Sequence, residues 1–286
     1  MKMKKYLVAF VSVFLIICLA LSFCIADGAR EESNEGEVIL IDDLDEFSTD
    51  ESSTSEQELT PFMPEGIDKA IIGKDDRYTV NPAAYPFSAI SYMRVKGWCG
   101  CGWTGSGFMV GKNKLLTAAH CLVCTKHSSW AKEITFYFGY RNEKNYSYRY
   151  SGAWKAWAGN LFGNRSYTVV NDFGCVTLNE SVGEKTGWFG VRFYGSKTDM
   201  RNRLLHVAGY RDGILRNADG FGAERDGDFW RYTIDMLPGN SGCPVFESDN
   251  YAIGINIAEV KNDKNAPLYN TGFVITQKVW NCFNKN

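Results

Sequence analysis

The sequence predicts an all-β domain, a barrel or a sandwich, over residues 70–286. Three observations point to it. Short runs rich in β-branched and aromatic residues recur, separated by clusters of Gly, Asn and Asp. No long stretch carries an apolar residue at every third or fourth position. The 286 residues are 45% hydrophobic and 22% charged, enough for a substantial core.

The first 69 residues stand apart. Lys2, Lys4 and Lys5 precede an apolar run at 6–23, and Cys24-Ile25-Ala26 offers small residues for cleavage, so residues 1–26 read as a secretory signal. The run also has the length of an uncleaved membrane anchor; the small residues after it favour cleavage. Residues 27–69 hold 15 acidic side chains against two basic ones, a net of -13. Such a segment buries too little apolar surface to offset its chain entropy and is expected to be disordered. The whole chain has a formal net charge of -2, which leaves +8 on residues 70–286 once the leader and the +3 signal are set aside. An acidic leader on a basic domain fits a propeptide that docks by charge; a solvated spacer is the plainer alternative.

Nine cysteines become seven when Cys18 and Cys24 leave with the signal, so at least one thiol has no partner within the chain. Cys99, Cys101, Cys121 and Cys124 form two close pairs. Two such pairs can hold a zinc ion. The Cys-x-Cys spacing and an exported setting favour disulfides instead, with a connectivity that spacing does not give.

From residue 87 onward the predicted strands are 87–93, 107–110, 115–118, 134–138, 146–150 and 175–178, then 204–209, 230–234, 251–257 and 271–275. Each is a short apolar or alternating run closed by turn residues. Residues 276–283 fit one C-terminal helix, apolar at Val279, Trp280 and Phe283.

The chemistry lies in three segments. Gly239-Asn240-Ser241-Gly242-Cys243-Pro244 presents a single serine in a glycine-rich turn. A serine hydroxyl needs a base to remove its proton. His120, one of three histidines, ends the apolar run 114–120 and can act as that base. His127 and His206 lack this setting. Asp172 sits between apolar stretches in 169–178, where a carboxylate needs a buried partner, and His120 would be one. The tight turn at Gly239 lets the backbone N–H groups of Gly239 and Ser241 converge as an oxyanion hole. An ordinary surface turn is the plainer reading of that segment taken alone. Pro244 and Val245-Phe246 after the serine read as a strand, which argues against the strand–Ser–helix elbow of other hydrolases.

Together these segments resemble the trypsin-like serine proteases of the bacterial glutamyl-endopeptidase, or V8-like, branch. Residues 117–121 (TAAHC) match the histidine motif, 171–174 (NDFG) the aspartate motif and 239–246 (GNSGCPVF) the serine motif. Residues 71–77 (IIGKDDR), 186–190 (TGWFG), 207–210 (VAGY) and 232–235 (YTID) follow in family order. The resemblance covers about residues 70–286. It implies two perpendicular six-stranded antiparallel β-barrels, at about 70–180 and 181–286, with a short C-terminal helix and the site between them. It further implies a zymogen cut between Lys69 and Ala70, with Ala70 as the activation terminus. Secretion follows from the signal. The substrates implied are proteins or peptides, with the chain's own propeptide as a partner. No cofactor, metal or nucleic acid is called for, and the mature chain is expected to be a monomer without stable membrane association. A catalytically weak binding or adhesion module on the same fold is the alternative.

Two departures from the family concern specificity. Members selective for Glu hold the substrate carboxylate with a histidine in a Gly-Ile-His-like motif and a Thr or Ser five residues before the nucleophile. Here Asn256 and Met236 occupy those positions, with Asp235, Ile257, Ala258 and Glu259 as further expected pocket residues. Strict Glu selectivity is therefore not expected. The family's cysteine fifteen residues before the catalytic histidine is replaced by Gly105, which leaves Cys101 or Cys99 as the implied partner of Cys121.

Overall fold

The structure, a computed structural model, describes residues 38–40, 71–159, 162–163, 166–167, 171–196, 198–261 and 267–284. The signal, most of the acidic leader, Lys69 and Ala70 lie outside the described residues, so the expectations made for them rest on sequence alone.

Among the described residues the regular structure is mainly antiparallel strand. In order they are β1 (Val38–Leu40), β2 (Tyr78–Thr79), β3 (Ile90–Gly97), β4 (Gly102–Met109), β5 (Lys114–Thr117), β6 (Val123–Cys124), β7 (Ser129–Phe138), β8 (Tyr148–Tyr150), β9 (Trp154–Ala158), β10 (Phe162–Gly163), β11 (Ser166–Tyr167) and β12 (Gly174–Leu178). A one-turn helix α1 (Gly183–Thr186) leads to β13 (Gly190–Val191), β14 (Leu204–Arg211), β15 (Ile214–Phe221), β16 (Glu224–Asp226), β17 (Phe229–Tyr232), β18 (Pro244–Glu247), β19 (Tyr251–Lys261), β20 (Pro267–Val274) and the C-terminal helix α2 (Gln277–Asn281).

Two large sheets result. One runs β1-β9-β12-β5-β4-β3-β7-β6 with β8 beside β7, and the other β16-β17-β20-β19-β18-β14-β15-β2 with β13 beside β19. Each holds six longer strands, in line with the two six-stranded barrels expected. Strands of only two or three residues extend each sheet: β1, β6 and β8 in the first, β2, β13 and β16 in the second. Such short edges limit the exposed ladder that would template aggregation.

Local chemistry explains where sequence and structure part. The strand expected at 87–93 begins as a 3-10 turn, Phe87–Ala89, capped by Pro86, and only then becomes β3. β15 carries Asn217-Ala218-Asp219-Gly220, which reads as a turn. Eight paired positions against β14 override that propensity.

The core is continuous across the two halves. Phe173 stacks on Phe273 at 4.7 Å between centroids, and Phe189 meets Phe108 and Phe246 edge-on at 5.8 and 5.1 Å. Each edge-on pair contributes about 0.5–1.5 kcal/mol beyond its buried area. Thr276 caps α2 by accepting from the Val279 N–H, and Val279 turns into the core.

Cys175 of β12 is bonded to Cys282, just past α2, closing a loop with a sequence separation of 107. A bridge over so long a loop restricts the unfolded chain strongly. Replacing both cysteines by serine should cost about 2–5 kcal/mol of stability, read as a lower urea midpoint.

The other cysteine expectations are corrected. Cys99, Cys101, Cys121 and Cys124 are free thiols rather than disulfides. Cys121 does not pair with Cys99 or Cys101 because its side chain points the other way. It lies over Gly105 of β4, with its sulfur 3.5 Å from the Ser241 carbonyl oxygen.

Candidate active site

The register of β5 and β12 brings the first two site residues together. Gly174 pairs with Thr117. The chain leaving β5 carries His120 in a short 3-10 turn, and the chain entering β12 carries Asp172. Asp172 accepts the His120 backbone N–H on one oxygen at 3.0 Å and faces His120 Nδ1 with the other at 2.6 Å. Both side chains are buried. Burial opposes a charge on His120, but the Asp172 carboxylate outweighs it and holds the imidazole above its ordinary pKa of 6.5. A carboxylate so placed fixes the ring tautomer and stabilises the imidazolium that forms when the ring takes a proton.

The serine sits on two successive turns, each closed by a hydrogen bond and each with a glycine in the third position. In the first, Asn240 N–H donates to the Leu237 carbonyl at 3.1 Å, with Pro238 second and Gly239 third at φ 95°. In the second, Cys243 N–H donates to the Asn240 carbonyl at 3.1 Å, with Ser241 second and Gly242 third at φ 81°. Both third positions require positive φ, the type II pattern that glycine satisfies without strain. Gly242 is needed for a second reason: a Cβ there would overlap the Ser106 carbonyl and the Thr117 hydroxyl.

Strand β4 anchors this serine turn. Ser106 N–H donates to the Ser241 carbonyl at 2.8 Å. The Ser106 hydroxyl accepts from Tyr210 N–H at 2.9 Å and donates to the Gly239 carbonyl at 3.1 Å. The serine turn is thus pinned against β4 and against the Thr117–Ala118 backbone that leads directly to His120.

The residues expected to set specificity have the following surroundings. Asn256 is fully buried; it accepts from the Tyr232 hydroxyl at 2.7 Å and donates to the Asn240 carbonyl at 3.1 Å. It braces the serine turn through the Asn240 carbonyl. The Asp235 carboxylate accepts from the Ile72 N–H at 2.6 Å and the Asp76 N–H at 3.2 Å. Burial pushes its carboxyl pKa up, against those two hydrogen bonds. Met236 packs in the apolar cluster with Trp230 and Val245. Ile257 and Ala258 are buried on β19, at a register shift between Asn256 and Ala258. For Glu259 the structure describes only the backbone, paired with Asn270. Sequence reading missed Ser106 and the bracing role of Asn256 because neither stands near its partners in the chain.

A second array shares the same atoms in outline. His206 faces Asp219 at 2.6 Å through Nδ1 and the Ser248 hydroxyl at 3.0 Å through Nε2. Its carboxylate is 36% exposed and shared with the Tyr78 hydroxyl and the Asn217 amide. Ser248 lies in the hairpin between β18 and β19, without the glycine turns that surround Ser241.

Fold and site together define a chymotrypsin-fold serine peptidase. A family model for the trypsin-like peptidase domain matches residues 105–255, more than half of the chain, and the chain belongs to this family of serine endopeptidases. It is 30% identical over 196 residues to a glutamyl endopeptidase of Bacillus licheniformis, covering 64% of this chain and 56% of that protein. It is 28% identical over 238 residues to an extracellular metalloprotease of Bacillus subtilis, covering 74% of this chain and 68% of the relative. A solved glutamyl endopeptidase in complex with MPD superposes with a TM-score of 0.59 at 21% identity, covering 76% of this chain and 98% of that one.

Proposed function

We propose that the chain is the precursor of a secreted endopeptidase that cuts peptide bonds through Ser241, His120 and Asp172. The buried contact of His120 Nδ1 with Asp172 at 2.6 Å, beside the pinned serine turn, carries this reading. The Ser241 hydroxyl attacks the scissile carbonyl carbon while His120 takes its proton. The tetrahedral oxyanion is held by the N–H groups of Gly239 and Ser241. His120 then gives the proton to the leaving amine, and water repeats the sequence on the acyl-enzyme.

Secretion is supported by the signal-like residues 1–26 and by the extracellular relative. Among the described residues no helix is long and apolar enough to cross a membrane. A docked, inhibitory leader is supported by charge and by backbone, since β1 from the leader pairs with β9. The tie of Ile72 and Asp76 to Asp235, six residues before Ser241, supports a coupling between the processed terminus and the serine turn. The mature enzyme acts as a monomer.

Substrate choice is read as relaxed at P1, the residue before the cut. Asn256 is already engaged and Met236 offers no donor, so neither replaces the family's carboxylate ligands. Losing such a bond erodes selectivity by about 2 kcal/mol, more than tenfold. Arg77, Arg211 and Arg216 line a cleft with Asn240 and Asp212; Arg77 and Arg211 are paired with Asp75 and Asp212, so Arg216 carries most of any preference there for acidic residues elsewhere in the peptide.

Fluorophosphonate labelling and peptide-library profiling test these points on the full chain and on protein starting at Ala70. The processed form should label at Ser241 and cut after several residue types, with the precursor much slower. Failure to label removes the proposed mechanism. Equal rates in the two forms remove the latency, and exclusive cutting after Glu removes the relaxed pocket.

A further inference from the structure

We infer that Cys99, Cys101, Cys124 and His127 form a structural zinc site. Their four donor atoms lie within 4.8 Å of one another. They come from two separate turns. Cys99 and Cys101 sit in the link between β3 and β4, and Cys124 and His127 at the turn between β6 and β7. His127 Nδ1 is 3.3 Å from the Cys101 sulfur and 3.5 Å from the Cys124 sulfur.

These separations fit a shared ion. A tetrahedral centre with Zn–S near 2.3 Å and Zn–N near 2.1 Å places sulfur and nitrogen about 3.6 Å apart, and two sulfurs about 3.8 Å apart. A disulfide would need one pair of sulfurs in covalent contact and would leave the third thiol and the imidazole unused; all three cysteines are free. Three thiols with one imidazole form a soft donor set that selects zinc over magnesium or calcium. Three thiolates and one neutral imidazole around zinc make a Zn(Cys)3His centre with a net charge of -1.

The backbone around the quartet is already set. Gly97 N–H donates to the Cys101 carbonyl at 2.8 Å, Gly100 N–H to the Gly97 carbonyl at 3.0 Å, and His127 N–H to the Cys124 carbonyl at 3.3 Å. Trp98 N–H reaches the Trp130 carbonyl at 3.1 Å and ties one turn to the strand that follows the other. The ion would therefore clamp the β3–β4 turn onto a segment that starts four residues after His120. Its role is to hold the histidine turn; it has no place in bond cleavage. The inference does not depend on the proposed specificity or latency, because its readout is metal binding alone.

The test uses the full chain, purified without chelator, with zinc measured by elemental mass spectrometry and cysteine state by peptide mapping. About one zinc per chain is expected. Cobalt(II) added to metal-stripped, reduced protein should give the sulfur-to-metal charge-transfer and tetrahedral d–d bands of a thiolate-rich site. His127→Ala, at an exposed position, should weaken zinc at least as much as loss of an outer-shell partner does, roughly 10- to 100-fold by chelator competition. Cys101→Ser should abolish the cobalt spectrum, and Cys121→Ser, outside the quartet, should keep it. Absence of zinc together with an absent cobalt spectrum in fully reduced protein would overturn the site. So would a disulfide joining any two of Cys99, Cys101 and Cys124 in the purified chain, or zinc affinity unchanged in His127→Ala.

Discussion

Ser241→Ala is expected to lower peptide hydrolysis by roughly a millionfold, as in enzymes whose catalytic groups act as one unit. In the proposed mechanism alanine removes the attacking atom. It leaves the two glycine turns, the Ser106 anchor and the Asn256 brace in place, because all of these engage backbone atoms of residues 239–241. Circular dichroism and thermal melting should therefore match the parent within error while turnover disappears. Ser248→Ala supplies the contrast. Its serine also faces a histidine paired with an aspartate, yet it lacks the turn geometry of Ser241. That variant should keep both turnover and fluorophosphonate labelling. Substantial activity in Ser241→Ala, or loss of labelling in Ser248→Ala, would move the site to the second array.

Asp172→Asn is expected to cost roughly 10⁴-fold in kcat. The amide keeps the shape but presents an N–H where His120 Nδ1 needs an acceptor, so the ring is held in the wrong tautomer. The pH dependence carries a sign. With Asp172 ionised, His120 is raised above 6.5, so the protonated, inactive form persists to higher pH. The acid limb of kcat/KM should lie on the alkaline side of 6.5. In the variant the Asp172 charge that raises the ring is gone, while burial still acts in the opposite direction and only the smaller raising effect of Cys121 is left. The residual activity should show its limb displaced to lower pH. A limb that stays put in the variant would show that some other group titrates.

The parts of the site legible in the sequence are those whose chemistry is local. A Pro-Gly pair followed by Asn-Ser-Gly specifies two tight turns through φ alone, and an aspartate inside an apolar run announces a buried partner. The fold class was legible for the same reason, since short alternating runs and turn clusters are local signals. The hydrogen bonds of Asn256 and Asp235 were not legible because they depend on pairings that sequence does not display. Asn256 meets Tyr232 and Asn240 only through the sheet formed by β17 to β20, and Asp235 meets Ile72 across a separation of 163. The cysteines failed similarly. Four clustered residues invited local disulfides, while the bonded pair spans 107 positions and the sulfur of Cys121 turns toward the serine. His127 looked like a loop residue because its neighbours in space come from the β3–β4 turn.

Ser106 has a consequence for how the enzyme loses activity. One residue of the first sheet makes three hydrogen bonds to the second half of the domain: its amide to Ser241 and its hydroxyl to Gly239, both in the loop before β18, and its hydroxyl to Tyr210 of β14. All three join the two halves of the domain beside Gly242. The slowest-exchanging amide protons should therefore include that of Ser106, with a protection factor equal to global unfolding. Heat inactivation and loss of this protection should follow one curve, so the active site fails by whole-domain opening and has no softer local route.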